Sequence, residues 1–182
     1  MAKYKNIIVP TLTLTIISVL VAVLLAVTYQ ATGVGNIQPG LSDEECAEFA
    51  GKVIPGASKL AQVPYESENA DLLGVYKNEN GDELALLVQA VGYAGKDTPV
   101  QILVGFDQEG VTTGVAIVSS GETPGLGTKI EDEEYLKQYV GLNGSADGVD
   151  TITGATFSST ALRDGVNLAM SEFEAVKEEV SA

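Results

Sequence analysis

Residues 7–27 form an unbroken run of 21 positions without a charge, interrupted only by Pro10 and a few Ser and Thr residues. At about 1.5 Å rise per residue a helix of that length spans roughly 30 Å, the thickness of a bilayer's hydrocarbon core. Serine and threonine hydroxyls can bond back to carbonyls one turn earlier, so they do not disqualify the span. Beyond it the periodicity changes. Apolar-rich runs at 72–77, 84–93, 98–106 and 111–119 read as four strands. Asn80-Gly81 between the first two is a hairpin signal, and Asp107-Gln108-Glu109-Gly110 separates the last two, so an antiparallel sheet is expected. Near the end, Leu162, Val166, Ala169, Phe173, Val176 and Val180 recur at alternating spacings of four and three, one stripe of a long helix packed on that sheet. Gly165, beside the stripe, costs about 1 kcal/mol against alanine in a helix unless close packing needs it.

Shorter elements fill the intervals. Residues 42–50 read as a helix capped by Ser42, with Glu45 three positions on as in a capping box and Gly51 placed to end it. Residues 132–140 read as a second helix with Tyr135, Leu136 and Tyr139 on its apolar side. Gly92-Tyr93-Ala94-Gly95 is a corner between the two hairpins. The expected architecture is α+β, with a cytoplasmic N-terminus (1–6), a single membrane helix (7–27), a linker (28–41) and one extracytoplasmic domain (42–182).

Charge placement orients this plan. Lys3 and Lys5 precede the apolar run, the next basic residue is Lys52, and all 25 acidic residues follow Gly40. Basic residues favour the cytoplasmic side, so the N-terminus is expected inside and the domain outside the cell membrane. A cleavable signal peptide fits less well, because the run is longer than the usual ~7–15 residues and lacks a good small-x-small cleavage site. The overall charge of −15 argues against binding nucleic acid. The chain has no His and one Cys, Cys46, so it forms no internal disulfide and has no cysteine set for zinc or an iron–sulfur cluster. Cys46 reads as a small buried apolar residue. No Gly-x-Gly-x-x-Gly fingerprint for a dinucleotide is present, and the apolar run holds no charge to line an ion path.

Two stretches carry candidate chemistry. In Asp150-Thr151-Ile152-Thr153-Gly154-Ala155-Thr156-Phe157-Ser158-Ser159-Thr160 a glycine and an alanine lead into a hydroxyl-rich helix start. One of Ser158, Ser159 or Thr160 is expected as its N-cap. Free N–H groups and the dipole at such a terminus also favour a phosphate. In Glu122-Thr123-Pro124-Gly125-Leu126-Gly127 the proline and the following glycine suit a type II turn. On the residues alone these are a helix start and a turn.

Taken together, in this order and spacing, they resemble the two signatures of the FMN-binding domain in the G subunit of Rnf electron-transport complexes. The related C subunit of the sodium-pumping NADH:quinone reductase carries them too. The resemblance covers the N-terminal anchor, the hairpins and the last helix. It implies a covalent FMN, esterified through its phosphate to Thr156 by a separate flavin transferase. Gly154, Ala155, Thr153, Asp150 and Ser158 would surround the attachment point, with Asp150 assisting attachment or holding the loop. Glu122, Thr123, Pro124, Gly125, Leu126 and Gly127 would lie beside the ring. It further implies an electron relay without a complete catalytic site, working with the other membrane subunits of a complex that couples ferredoxin and NAD chemistry to pumping of Na⁺ or H⁺. The quinone-reductase C subunit, a stand-alone extracytoplasmic flavoprotein and, more distantly, a non-redox anchored binding module remain alternatives. Many members carry His two residues before the Glu; Ser120 stands there in this chain.

Overall fold

The computed structural model describes residues 11, 14–15, 17–25 and 40–180. The chain separates into two units, 1–38 and 39–182. In the first, residues 17–25 are helical and exposed, and all but Ser18 and Ala22 are large and aliphatic. Thr15 donates its hydroxyl to the Thr11 carbonyl and Ser18 to that of Leu14, each at 2.9 Å, as expected of hydroxyls in an apolar helix. Among the described residues no helix is long and apolar enough to cross a membrane. Much of the expected span 7–27, the N-terminus 1–6 and most of the linker 28–41 lie outside the described residues.

The second unit is α+β. Five strands, β1 (Leu60–Val63), β2 (Leu72–Asn78), β3 (Leu84–Ala90), β4 (Val100–Phe106) and β5 (Thr112–Ser119), pair antiparallel in sequence order. Helix α1 (Asp43–Val53) covers one face and α3 (Thr156–Val180) the other, with a short α2 (Glu133–Leu136) running into a 3-10 turn, Lys137–Tyr139. Side chains alternate across the pleat. Leu84, Leu86 and Val88 of β3, with Val100, Ile102, Val104 and Phe106 of β4, join the core under α3; Ala85, Leu87 and Leu103 join the core under α1. Both faces are thus covered, which is why these strands read as nearly continuous apolar runs. The α3 stripe lies as expected, Leu162, Val166, Ala169, Phe173 and Val176 being buried. Gly165 packs against Ile102, the close approach that accounts for a glycine there.

Several boundaries differ from the sequence reading. The Ser42–Glu45 capping box forms, and Cys46 is buried, but α1 runs past Gly51 to Val53. Tertiary packing carries it on: the Val53 backbone rests on Gly105 and Gly114, which face each other across β4 and β5. The Thr113 hydroxyl donates to the Val53 carbonyl at 2.6 Å, and Pro55 follows. Strand β1 is an addition, four residues too short for alternation to reveal. The first hairpin forms without a two-residue Asn-Gly turn, since neither Asn80 nor Gly81 has positive φ and residues 79–83 make a wider loop. The region 132–140 breaks into two short turns rather than one helix. Asp132 caps the first, and Tyr139 is held by burial and by the Thr112 hydroxyl, which donates to its carbonyl.

Candidate functional site

The meander dictates where a site can be built. Strands β3 and β5 run in the same direction with β4 between them, so both leave the sheet at the same end. Helix α3 begins at that end and finishes at the other, where Phe173 packs on Gly110 of the β4–β5 turn. Three segments therefore converge: the loop after β3, the turn after β5 and the start of α3. They enclose an open cleft of about 310 Å³ lined by Tyr93, Glu122, Thr123, Leu126, Gly127 and residues 154–158.

Each wall has a local cause. After β5, Leu126 N–H donates to the Thr123 carbonyl at 3.1 Å across Pro124 and Gly125, and Gly125 has φ +74°, the type II arrangement expected. Gly127 N–H reaches the same carbonyl at 2.9 Å, and Gly125 N–H donates to the Thr128 hydroxyl at 2.9 Å. Before α3, Ala155 N–H donates to the Ile152 carbonyl at 2.9 Å around Gly154, whose φ is +83°. Leu126 of the first turn faces Gly154 of the second. The loop after β3 turns through Gly95 and presents Tyr93.

The hydroxyl run does not act as a simple cap. Helix α3 starts at Thr156, and Ser158 and Ser159 lie inside its first turn, buried. Ser159 Oγ accepts from Ile152 N–H at 3.0 Å and donates to the Ala155 carbonyl at 2.8 Å, tying the preceding turn to the helix. Ser158 donates to the carboxylate of Glu122. Both side chains are turned inward by these bonds, while Thr156 and Phe157 remain exposed.

Of the expected site residues, Glu122, Thr123, Leu126, Gly127, Gly154, Ala155, Thr156 and Ser158 line one cleft. Pro124, Gly125 and Thr153 are exposed on the flanking turns, outside the lining. Asp150 also lies outside it; its side chain is exposed and its carbonyl accepts from the Tyr135 hydroxyl at 3.0 Å. Ser120 Oγ accepts from Glu122 N–H at 3.2 Å. The sequence reading missed two aromatic residues as part of the site. Tyr93 and Phe157 are 69% and 72% exposed, far from ordinary for large apolar rings, and both rim the cleft. With Leu126 they concentrate apolar surface beside the Thr156 hydroxyl. A large aromatic set inside a hydroxyl run, as Phe157 is, was the available signal.

An apolar-rimmed cleft at a helix N-terminus suits a ligand with a flat ring and an anionic end, and similarity to known proteins gives its class. Residues 92–171, from the loop bearing Tyr93 into α3, match the FMN-binding domain family. The chain is 30% identical over 146 residues to the G subunit of the Na(+)-translocating ferredoxin:NAD(+) oxidoreductase complex of Acetobacterium woodii, covering 71% of this chain and 69% of that one. It is 30% identical over 185 residues to the G subunit of the ion-translocating oxidoreductase complex of Methanosarcina acetivorans, covering 93% and 96%. Identity to the C subunit of the Na(+)-translocating NADH-quinone reductase of Vibrio campbellii is 26% over 167 residues, 70% of this chain and 64% of that one. The chain belongs to the FMN-binding-domain family of ion-translocating oxidoreductase G subunits.

Proposed function

We propose that this chain is a membrane-anchored flavoprotein electron carrier with FMN esterified through its phosphate to Thr156, serving an ion-translocating oxidoreductase complex of the Rnf type. The observation that carries this reading is the exposed Thr156 at the start of α3, beside a cleft rimmed by Tyr93, Leu126 and Phe157. The residues fit the cofactor. The helix start favours a phosphate, Gly154 leaves approach to the hydroxyl free of a side chain, and the exposed apolar groups suit a flat ring. FMN, when bound, supplies uptake and release of one or two electrons. The chain's own part is to fix the phosphate end at Thr156, offer Tyr93, Phe157 and Leu126 to the ring, and exclude water from the face they cover.

A covalent bond suits the expected extracytoplasmic location. A reversible site fills according to free ligand over its dissociation constant, and outside the cytoplasm free FMN is scarce. A tether holds one flavin per chain at high effective concentration and leaves its exposed edge able to meet two partners in turn. In this reading residues 7–27 anchor the chain in the cell membrane with residues 1–6 in the cytoplasm. The exposed aliphatic surface of residues 17–25, with the Thr15 and Ser18 hydroxyls bonded back to carbonyls four residues earlier, supports that assignment. Partners are the complex's other membrane subunits and, during maturation, a flavin transferase. The near-complete mutual coverage with the Methanosarcina protein favours this reading over a quinone-reductase component, of which the chain covers 64%.

The test is co-expression with a flavin transferase, denaturation, and electrophoresis under ultraviolet light. Flavin emission should remain with the band, intact mass should rise by one FMN less the water lost in forming the ester, and Thr156→Ala should abolish both. A wild-type chain without added mass would end the flavoprotein assignment.

A further inference from the structure

Glu122 is 4% exposed, yet no part of electron transfer by a tethered flavin calls for a buried carboxylate. Its two oxygens are divided between the other two walls of the cleft. Oε1 accepts from Ala94 N–H at 3.1 Å, in the loop that presents Tyr93, and Oε2 accepts from the Ser158 hydroxyl in the first turn of α3. Gly92 and Gly127 close on the same carboxylate so tightly that a Cβ at either would overlap it. Helix α3 has no acidic residue in its own first turn, where a negative charge complements the helix dipole. Glu122 brings a carboxyl group to that turn from 36 residues upstream.

We propose that Glu122 is a positioning residue, a clasp that holds the Tyr93 loop and the Thr156 turn against the turn 123–126 before any flavin arrives. The purpose rests on the flavin reading above; the clasp itself is a property of the bare chain. The forked end of a three-bond stem lets one side chain reach both partners at once, and burial keeps water from replacing either. Without it the two walls lose their shared anchor, and Tyr93 is no longer held on the same cleft as Thr156. Glutamine keeps the shape: its carbonyl oxygen can take the Ala94 N–H, and its amide can donate to the freely rotating Ser158 hydroxyl.

The experiment uses the full chain in detergent, flavin-free, and compares Glu122→Ala, Glu122→Gln and Ser158→Ala. Amide hydrogen exchange is read at Ala94, and FMN loading is timed by intact mass after adding flavin transferase and its flavin substrate. In Glu122→Ala the Ala94 amide should exchange about tenfold faster while amides of β3 and β4 keep their protection. Loading should slow by about tenfold or more, since attachment depends on a turn held in geometry. Glu122→Gln should restore both readings to near wild type. Should Glu122→Ala fail to fold, Ser158→Ala decides, with loading slowed and the Ala94 amide still protected. Wild-type exchange and loading in Glu122→Ala, or wild-type loading in a folded Ser158→Ala, overturns the clasp. If the wild-type chain takes no FMN, the flavin reading falls and exchange at Ala94 alone judges the clasp.

Discussion

The ring of Tyr93 stands 6.3 Å from that of Phe157, centroid to centroid, tilted by 48°. One comes from the loop after β3 and the other from the first turn of α3, and solvent reaches both. Two aromatic rings left at a surface contribute little to folding, and here they stand beside the hydroxyl proposed to carry the flavin.

Replacing either ring by alanine should therefore leave the flavin-free chain almost as stable, within about 0.5 kcal/mol by urea unfolding. The loaded protein should respond differently. With a ring removed, the attached flavin gains freedom, and its fluorescence anisotropy should fall while the mass of the FMN adduct stays. Unchanged anisotropy in the double variant would show that the ring packs elsewhere.

Thr156→Ser retains a hydroxyl at the same exposed position and should accept FMN, more slowly than threonine, whereas Thr156→Ala should accept none. Both should melt within a degree or two of wild type, because the side chain is exposed. Intact mass and thermal melting separate loss of the acceptor from loss of the fold.

Gly105 and Gly114 should tolerate no side chain. A Cβ at either would overlap the backbone of Val53 or Lys52, which cannot swing aside as a side chain can. Alanine at either position should cost about 1–3 kcal/mol or more in urea unfolding. Gly165→Ala meets only the tip of Ile102, which can rotate, and gains up to about 1 kcal/mol of helix propensity. Its net cost should be clearly smaller.

Alkaline pH should unfold the chain through its buried tyrosines. Leu41 N–H donates to Tyr76 Oη at 2.6 Å in a fully buried site, and burial pushes that phenol up to about 12. Burial, reinforced by the Tyr135 hydroxyl, raises Tyr139 as well. Unfolded tyrosines release their protons near pH 10. Above that pH the folded chain still holds protons that the unfolded chain has lost, so stability falls with rising pH until the folded groups also titrate. The urea midpoint should change little below pH 9 and drop between 10 and 12. Tyr76→Phe should lessen that drop, yet be less stable at pH 7 by about 1–3 kcal/mol, because Leu41 N–H loses its buried acceptor.

What could be read from residue order was whatever local chemistry announces. Gly110 at the second hairpin has the positive φ its turn needs, the Ser42–Glu45 box forms, and the α3 stripe points at the sheet. The turns around Pro124–Gly125 and Gly154 were legible for the same reason. What stayed hidden depends on distant partners. Gly51 fails to end α1 because Val53 is needed above Gly105 and Gly114. Ser158 and Ser159 are not caps because Glu122 and Ile152 claim their hydroxyls. Tyr93 entered the site because β3 and β5 exit the sheet together, a fact of topology that its own neighbours in sequence do not record.

On the proposed reading, the exposure of Thr156 on an already complete fold lets attachment follow folding. Its side chain is solvent-facing while the serines two and three positions on are locked inside. A modifying enzyme then needs no unfolded or nascent substrate and can work on a finished domain. Bare purified chain is then a competent starting material, and analogues of the nucleotide can be installed on it at will, one per molecule, at a known atom.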